Sequence, residues 1–352
     1  MLVGGQGSRL RPLTIATPKP LLPTAGVPFL AHQLARAREA GAGHVVFATS
    51  YRAAMFERAF GDGAAYGLCI DYMVEDEPLG TGGAIRNAAG ALRGGPDDPV
   101  LVLNGDILSG HDIRAQLALH ARAEAAVTLH LTEVTDPSRF GCVPTDADGR
   151  VTAFLEKTPD PVTNRINAGC YVFRRSTLDA IPAGQVVSVE RETFPGLIAA
   201  GETVMGYADA AYWLDVGTPE AYVQGCRDLV LGRLPAPAVS GVPAPALIAA
   251  DAKIDPDATV GGGSTVGPGA TVAAGAEVTG SVLFEDAAVG EGARVVDSVL
   301  GRGARLAPGV ILDGAVIGDD AVIEEGNELR AGARLWPGTH LPPTTLRFTP
   351  DP

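Results

Sequence analysis

At 352 residues the chain is long enough for two domains, each with its own core. A formal charge of -14 repels phosphate backbones, which excludes nucleic acid as an expected partner and leaves only a local basic pocket for small anions. No run of about 18 apolar residues and no charged-then-apolar leader occurs, and Cys69, Cys142, Cys170 and Cys226 show no CxxC spacing; no membrane span or disulfide framework is expected, and a reducing cytoplasm is.

In chain order, the first feature is MLVGGQGSRLRPLT, residues 1–14. It lacks the Gly-Lys-Ser/Thr of a P-loop and the third glycine of a dinucleotide fingerprint. What it offers is a glycine turn whose bare amides can approach a triphosphate, backed by Arg9 and Arg11, with Lys19 held between two prolines in TPKP. Met1–Val3 is a stub where a strand of about five or six residues would support the loop. A mis-set or trimmed start is the simplest reading, and a loosened loop with weakened nucleotide binding is the expected consequence of a real stub.

FLAHQLARAREAGA (29–42) and IRAQLALHARAEA (113–125) have the apolar spacing of amphipathic helices. HVVFATS (44–50), VLVLNGD (100–106) and AVTLHLTEV (126–134) read as strands. Alternating strands and helices predict an α/β domain over 1–230 with a mixed, mostly parallel sheet that binds ligands at the carboxyl ends of its strands. LGRLPAPAVSGVPAPA reads as a semi-rigid linker over 231–246.

From 247 to 352 the period changes to about six. Aliphatic or aromatic anchors fall at Ile254, Val260, Val266, Val272, Val278 and Phe284, then after a five-residue step at Val289, Val295, Leu300, Leu306, Leu312, Ile317, Ile323, Leu329 and Leu335, with Gly, Ala, Asp and Pro between. One inward aliphatic per six residues is the signature of a parallel β-helix. Stacked rungs leave an end to be capped or paired, so a homodimer or larger homo-oligomer is expected, with LWPGTHLPPTTLRF (335–348) as cap or contact.

GGQGSRLRPLT followed by TPKPLLP resembles the signature of sugar-phosphate nucleotidylyltransferases. EPLGTGGAI, VLNGD, DPSRFGCV, FLEKTP, INAGCYVF, SVERETFP and YWLDVGTPEAY are similar to the corresponding blocks of the mannose-1-phosphate guanylyltransferases among them, whose architecture includes a C-terminal left-handed hexapeptide β-helix. The resemblance implies Mg²⁺-dependent attack of a sugar 1-phosphate on the α-phosphorus of GTP, giving GDP-mannose and pyrophosphate.

Within it, Val3, Gly4, Gly5, Gly7 and Ser8 form the nucleotide turn, and Arg9 and Lys19 hold the triphosphate. Asp106 follows an apolar strand and Asp215 precedes a glycine turn; each alone is as readily a cap, but two carboxylates beside phosphates suit Mg²⁺, and by resemblance they are the metal pair. Gly80 and Thr81 of EPLGTGG face the base, where glycines admit a planar ring and Glu75 or Glu77 accepts from guanine N1–H and its amino group. Glu156 binds sugar hydroxyls and Lys157 the sugar phosphate, with Gly141, Asn167 and Gly169 also at the sugar. Neighbouring strand residues point to opposite faces, so Glu156 and Lys157 reach one ligand only if the backbone turns there, and Pro159 favours a turn. The family often reads EKP where this chain has Glu-Lys-Thr-Pro, which leaves the geometry after Lys157 open.

Three alternatives stay open at this stage: the same chemistry on another sugar or cyclitol phosphate or with UTP, dTTP or ATP; a silent regulatory homologue; and acyl transfer on the β-helix. The last needs a surface histidine base, and His340 is the only histidine after residue 247. The second is opposed by the complete charged set.

Overall fold

In the computed structural model, which describes residues 1–49 and 52–347, His44–Thr49 (β1) pairs in parallel with Cys69–Val74 (β2). Ser50 of the expected first strand and the stretch after Arg347, with Phe348 of the expected cap, lie outside the described residues. Helix α1 spans Phe29–Glu39, followed by α2 (Ala53–Phe60) and α3 (Gly80–Ala89). Pro99–Leu103 (β3) is followed by the short strand Ile107–Ser109 (β4) and by α4 (Ile113–Arg122), whose first turn is capped by Asp112 accepting from the Ala115 N–H at 3.0 Å.

The larger sheet adds Val127–Glu133 (β5), Gly141–Cys142 (β6), Leu155–Glu156 (β7), Arg165–Arg174 (β8) and Val204–Ala208 (β9), in the order β9-β5-β8-β6-β7 with β3 also on β8. The strands are mixed, as expected: β1 and β2 are parallel and Leu2 bridges β1 and the residue after β3 in parallel, while β8 runs against its neighbours. β8 runs antiparallel to β3, β5 and β6, and only β9 on β5 is parallel in this sheet. The reason is the connection: from β5 the chain reaches β8 through the two-residue strands β6 and β7 with no crossover helix, so it returns antiparallel.

The chain falls into two compact units: Met1–Gly5 with Gln33–Trp213, and Gln6–His32 with the chain from Leu214 onward. In the first, Leu2 bridges β1 and the residue after β3 in parallel, through Leu2 N–H to Leu103 O at 2.9 Å and Val3 N–H to Ala48 O at 3.1 Å. Beside it lies an apolar cavity of about 320 Å³ lined by Met1, Leu2, Val46, Val100 and Val102 among others. The main core of this unit gathers Val102, Leu129, Leu131, Tyr171, Phe173 and Phe194.

In the second unit, helix α5 (Pro219–Val230) precedes a parallel β-solenoid with faces of six, six and five strands. The inward ladders run Val266, Leu283, Leu300, Ile317, Leu335; Val272, Val289, Leu306, Ile323, Leu341; and Val260, Val278, Val295, Leu312, Leu329. Leu283, not Phe284, therefore occupies the rung; Phe284 faces outward and packs edge-on to Tyr222 with ring centres 6.4 Å apart. The five-residue steps from Val278 to Leu283 and from Val295 to Leu300 fall at corners holding Ser281 and Ser298, which like Ser264 one coil earlier are fully buried. Each hydroxyl oxygen accepts the backbone N–H one coil on: Ser281 N–H to Ser264 at 3.0 Å, Ser298 N–H to Ser281 at 3.1 Å and Ala315 N–H to Ser298 at 3.0 Å.

Candidate active site

In the first unit the residues expected at the sugar converge. β8 is interrupted between Asn167 and Tyr171, where its register on β5 shifts and Gly169 takes φ +76°. Asn167 Oδ1 accepts the Gly169 N–H at 3.2 Å and its amide donates to the Tyr171 hydroxyl at 2.9 Å. A Cβ on Gly169 would lie 2.9 Å from Asn104 Nδ2, so glycine is required for β8 to pass this closely. Asn104 N–H in turn donates to Gly169 O at 2.9 Å, which ties this bulge to the turn carrying Asp106. A Cβ on Gly105 would run into Leu2 O, so that turn is packed against Leu2 and Val3.

Glu156 ends β7, and Lys157 adopts φ +49°, a left-handed conformation that a non-glycine residue rarely holds. The turn expected here is present, and it brings Lys157 Nζ to 3.4 Å from Glu156 Oε1. Gly141 is beside them: a Cβ there would meet Glu156 Oε2 at 2.9 Å and the Phe154 ring at 2.7 Å. Trp213, which was not among the expected site residues, donates its indole N–H to Ala168 O at 3.0 Å and meets Phe140 edge-on at 5.6 Å. Its signal was present in two aromatic residues sitting inside the motif blocks DPSRFGCV and YWLDVGTP.

The EPLGTGG stretch opens α3. Gly80, Gly82 and Gly83 make room for the backbone and side chains of 185–187, since Cβ atoms there would come within 2.6, 2.9 and 2.5 Å of Val187 O, Val187 Cγ1 and Gln185 O. Close packing of α3 on this segment thus requires glycine at these three positions. Thr81 donates to Glu190 Oε2 at 2.8 Å and accepts the Val189 N–H at 2.9 Å, so Val189–Thr193, a single π-helical turn, is locked to α3. Glu75 accepts from Leu79 N–H at 3.3 Å through Oε2, while its Oε1 is buried with no hydrogen-bond partner among the described residues. Burial raises its carboxyl above the ordinary range, opposed by the Leu79 bond. Glu77 is exposed.

In the second unit Gly7 takes φ +59° and opens the 3-10 turn Ser8–Leu10, with Thr14 donating to Gly7 O at 2.7 Å. Lys19 is 7 % exposed, its Cβ 3.1 Å from where a Cβ on Gly7 would stand. Arg9 is exposed and extends to within 4.0 Å of Asp215 Oδ2, over Gly217, where a Cβ would stand 2.6 Å from its Nη2. Asp106 is half-buried in the first unit and Asp215 in the second. Each carboxylate is by itself a hard oxygen donor of the kind Mg²⁺ takes; no group of three or more His, Cys, Asp or Glu among the described residues has metal-site geometry. No described helix is long and apolar enough to cross a membrane.

A glycine turn leading into Arg9, strand-end carboxylates and a Glu-Lys pair on a mixed sheet define a nucleotide-transferring enzyme, and residues 1–230 match the nucleotidyl transferase family while 242–337 match the GMPPB C-terminal domain. The chain belongs to the nucleotidyl transferase family, whose members typically use a divalent metal with a nucleotide and a sugar phosphate. Over its whole length it is 52% identical to the mannose-1-phosphate guanylyltransferase of Mycobacterium tuberculosis, spanning 97% of that protein. It is 37% identical to the mannose-1-phosphate guanylyltransferase catalytic subunit beta of Drosophila pseudoobscura pseudoobscura over 64% of this chain and 60% of that one. Among solved structures, HddC from Yersinia pseudotuberculosis complexed with GMP-PN is similar at a TM-score of 0.55 and 27% identity, covering 65% of this chain and 97% of HddC.

Proposed function

We propose that this protein transfers the guanylyl group of GTP to mannose 1-phosphate, releasing pyrophosphate and GDP-mannose. The observation that carries the reading is the 52% identity with the mycobacterial guanylyltransferase over all 352 residues. An oxygen of the sugar phosphate forms the new bond to the α-phosphorus as the α–β bridging bond breaks, its electron pair leaving with pyrophosphate. Two anions meet, so the protein's tasks are positioning and charge neutralisation, and no protein nucleophile is required.

Arg9 and Lys19 steady the triphosphate and the departing pyrophosphate, with Gly4, Gly5, Gly7 and Ser8 as the turn beneath. Lys157 holds the sugar phosphate; Glu156, Asn167, Gly141 and Gly169 shape the sugar pocket, a role supported by the 3.4 Å Glu156–Lys157 approach. Asp106 and Asp215 would hold Mg²⁺, which would neutralise charge on the phosphate oxygens. Glu75 is favoured over exposed Glu77 as the guanine acceptor, because its buried Oε1 lacks a donor among the described residues. The free thiols Cys69, Cys142, Cys170 and Cys226 suit a reducing cytoplasm, and a homo-oligomer built through the solenoid completes the reading.

The test is pyrophosphate release with GTP, UTP, dTTP and ATP against mannose, glucose and heptose 1-phosphates. GTP with mannose 1-phosphate should give the highest kcat/KM. Better turnover with UTP or dTTP would overturn the base assignment and the role of Glu75 together.

A further inference from the structure

The solenoid face carrying Leu247, Thr265, Val282, Val299, Val316 and Arg334 presents that row outward, alternating with the inward anchors. Thr265, Val282, Val299 and Val316 are nevertheless 0 to 3% exposed. The Gln6–His32 segment touches the row at both ends. At one end a Cβ on Gly26 would stand 3.3 Å from Leu247 Cδ2. At the other, one terminal nitrogen of Arg334, Nη1, donates to Arg9 O at 2.8 Å and to Arg11 O at 2.9 Å.

Those two carbonyls belong to the turn that launches Arg9. The Ser8 carbonyl accepts the Arg11 N–H at 3.2 Å and the Leu10 N–H donates to Gly7 O at 3.0 Å, so the peptide planes on both sides of the Arg9 Cα are hydrogen-bonded within the turn, and Arg334 adds charged bonds at the Arg9 and Arg11 carbonyls that anchor the turn to the solenoid. Holding both planes sets φ and ψ of Arg9 and hence the direction in which its side chain leaves the backbone. The donor is charged, which makes each bond stronger than a neutral one, and its own strand, Arg334–Leu335, is paired into the solenoid ladder on Val316–Ile317.

We propose that Arg334 is a positioning residue for nucleotide binding: from the solenoid it clamps the Ser8–Arg11 turn so that Arg9 is presented to the triphosphate. The clamp rests on the proposed role of Arg9 and assigns the solenoid a task within the nucleotide site, apart from any part in assembly. An Arg334→Ala variant of the full chain should raise the KM for GTP, and the equilibrium Kd for Mg-GTP, by about tenfold. The KM for mannose 1-phosphate and the Tm should stay within twofold and about 2 °C of the parent, because Arg334 is exposed and its loss leaves no buried group unpaired. Amide hydrogen exchange across Ser8–Leu13 should quicken in the variant and stay unchanged in the ladder residues 295–323.

Unchanged GTP constants, or equal losses for both substrates together with a lowered Tm, would overturn the clamp, the latter by making Arg334 a general stabiliser. A parent protein that binds Mg-GTP but makes no GDP-mannose would sink the functional reading alone, and the clamp would then be judged on the binding and exchange data.

Discussion

Lys157 shows how a single backbone angle decides a role. In an extended strand Glu156 and Lys157 would face opposite sides of the sheet, whereas φ +49° at Lys157 turns both toward one side. The pair was legible as a motif; the turn was only an expectation from Pro159, and the extra Thr158 left it open. Lys157→Ala should raise the KM for mannose 1-phosphate by tenfold or more, about 1.4 kcal/mol, while leaving the KM for GTP in place. Steady-state kinetics with each substrate varied in turn will decide this, and a change confined to GTP would mean that Lys19 and Lys157 have exchanged roles. Asp106→Ala should remove turnover, by roughly a thousandfold, with an unchanged circular dichroism spectrum. Activity within tenfold of the parent would end the metal assignment. Glu190 and Tyr171 were not singled out in the sequence because their contacts lie across 109 residues and across a bulge, to Thr81 and to Asn167 respectively.

At the scale of elements, amphipathic spacing located α1 and α4 well, and the errors lay at their ends: the expected 29–42 and 113–125 close at Glu39 and Arg122. Helix ends depend on capping and on the residues just beyond the last turn, neither of which periodicity encodes. The solenoid was the most legible element because its repeat is local, yet one rung was misplaced by a residue. A large aromatic, Phe284, mimicked an anchor, while the serine corner that shortens the step gave no apolar signal. That corner makes a definite prediction. Ser281→Ala removes the acceptor for the buried Ser298 N–H and should cost about 1–3 kcal/mol, read from denaturant unfolding, with kcat unaffected. A loss below about 0.3 kcal/mol would mean that water or a shifted backbone replaces the hydroxyl.

Across the whole molecule, charge and burial set a dependence on pH. His111 and His130 stack at 3.7 Å within the first unit, with Arg36 donating to His111 O at 2.7 Å and His130 paired with Asp209 at 3.1 Å. Burial lowers both imidazoles from 6.5 to about 3, aided by the neighbouring Arg36 charge. In both the folded state favours the neutral form, so their contribution is full above the unfolded value and is lost as pH falls toward the folded one. Stability should therefore decline as pH falls below 6.5, through the histidines. Thermal melts between pH 8 and 5 should show a falling Tm; a Tm that rises on acidification across that range would contradict the burial of these groups.

Motif blocks pointed by resemblance to the enzyme family, and apolar spacing with the six-residue period to the two kinds of architecture, because each of these is written in residues close together in the chain. Tertiary structure alone decided the antiparallel course of β8, the packing reason for the glycines of EPLGTGG, and the reach of Arg334 to the carbonyls of Arg9 and Arg11, more than 320 residues away. Those features arise from atoms meeting across long stretches of chain, and no local spacing carries information about which distant backbone a side chain or a missing Cβ will meet.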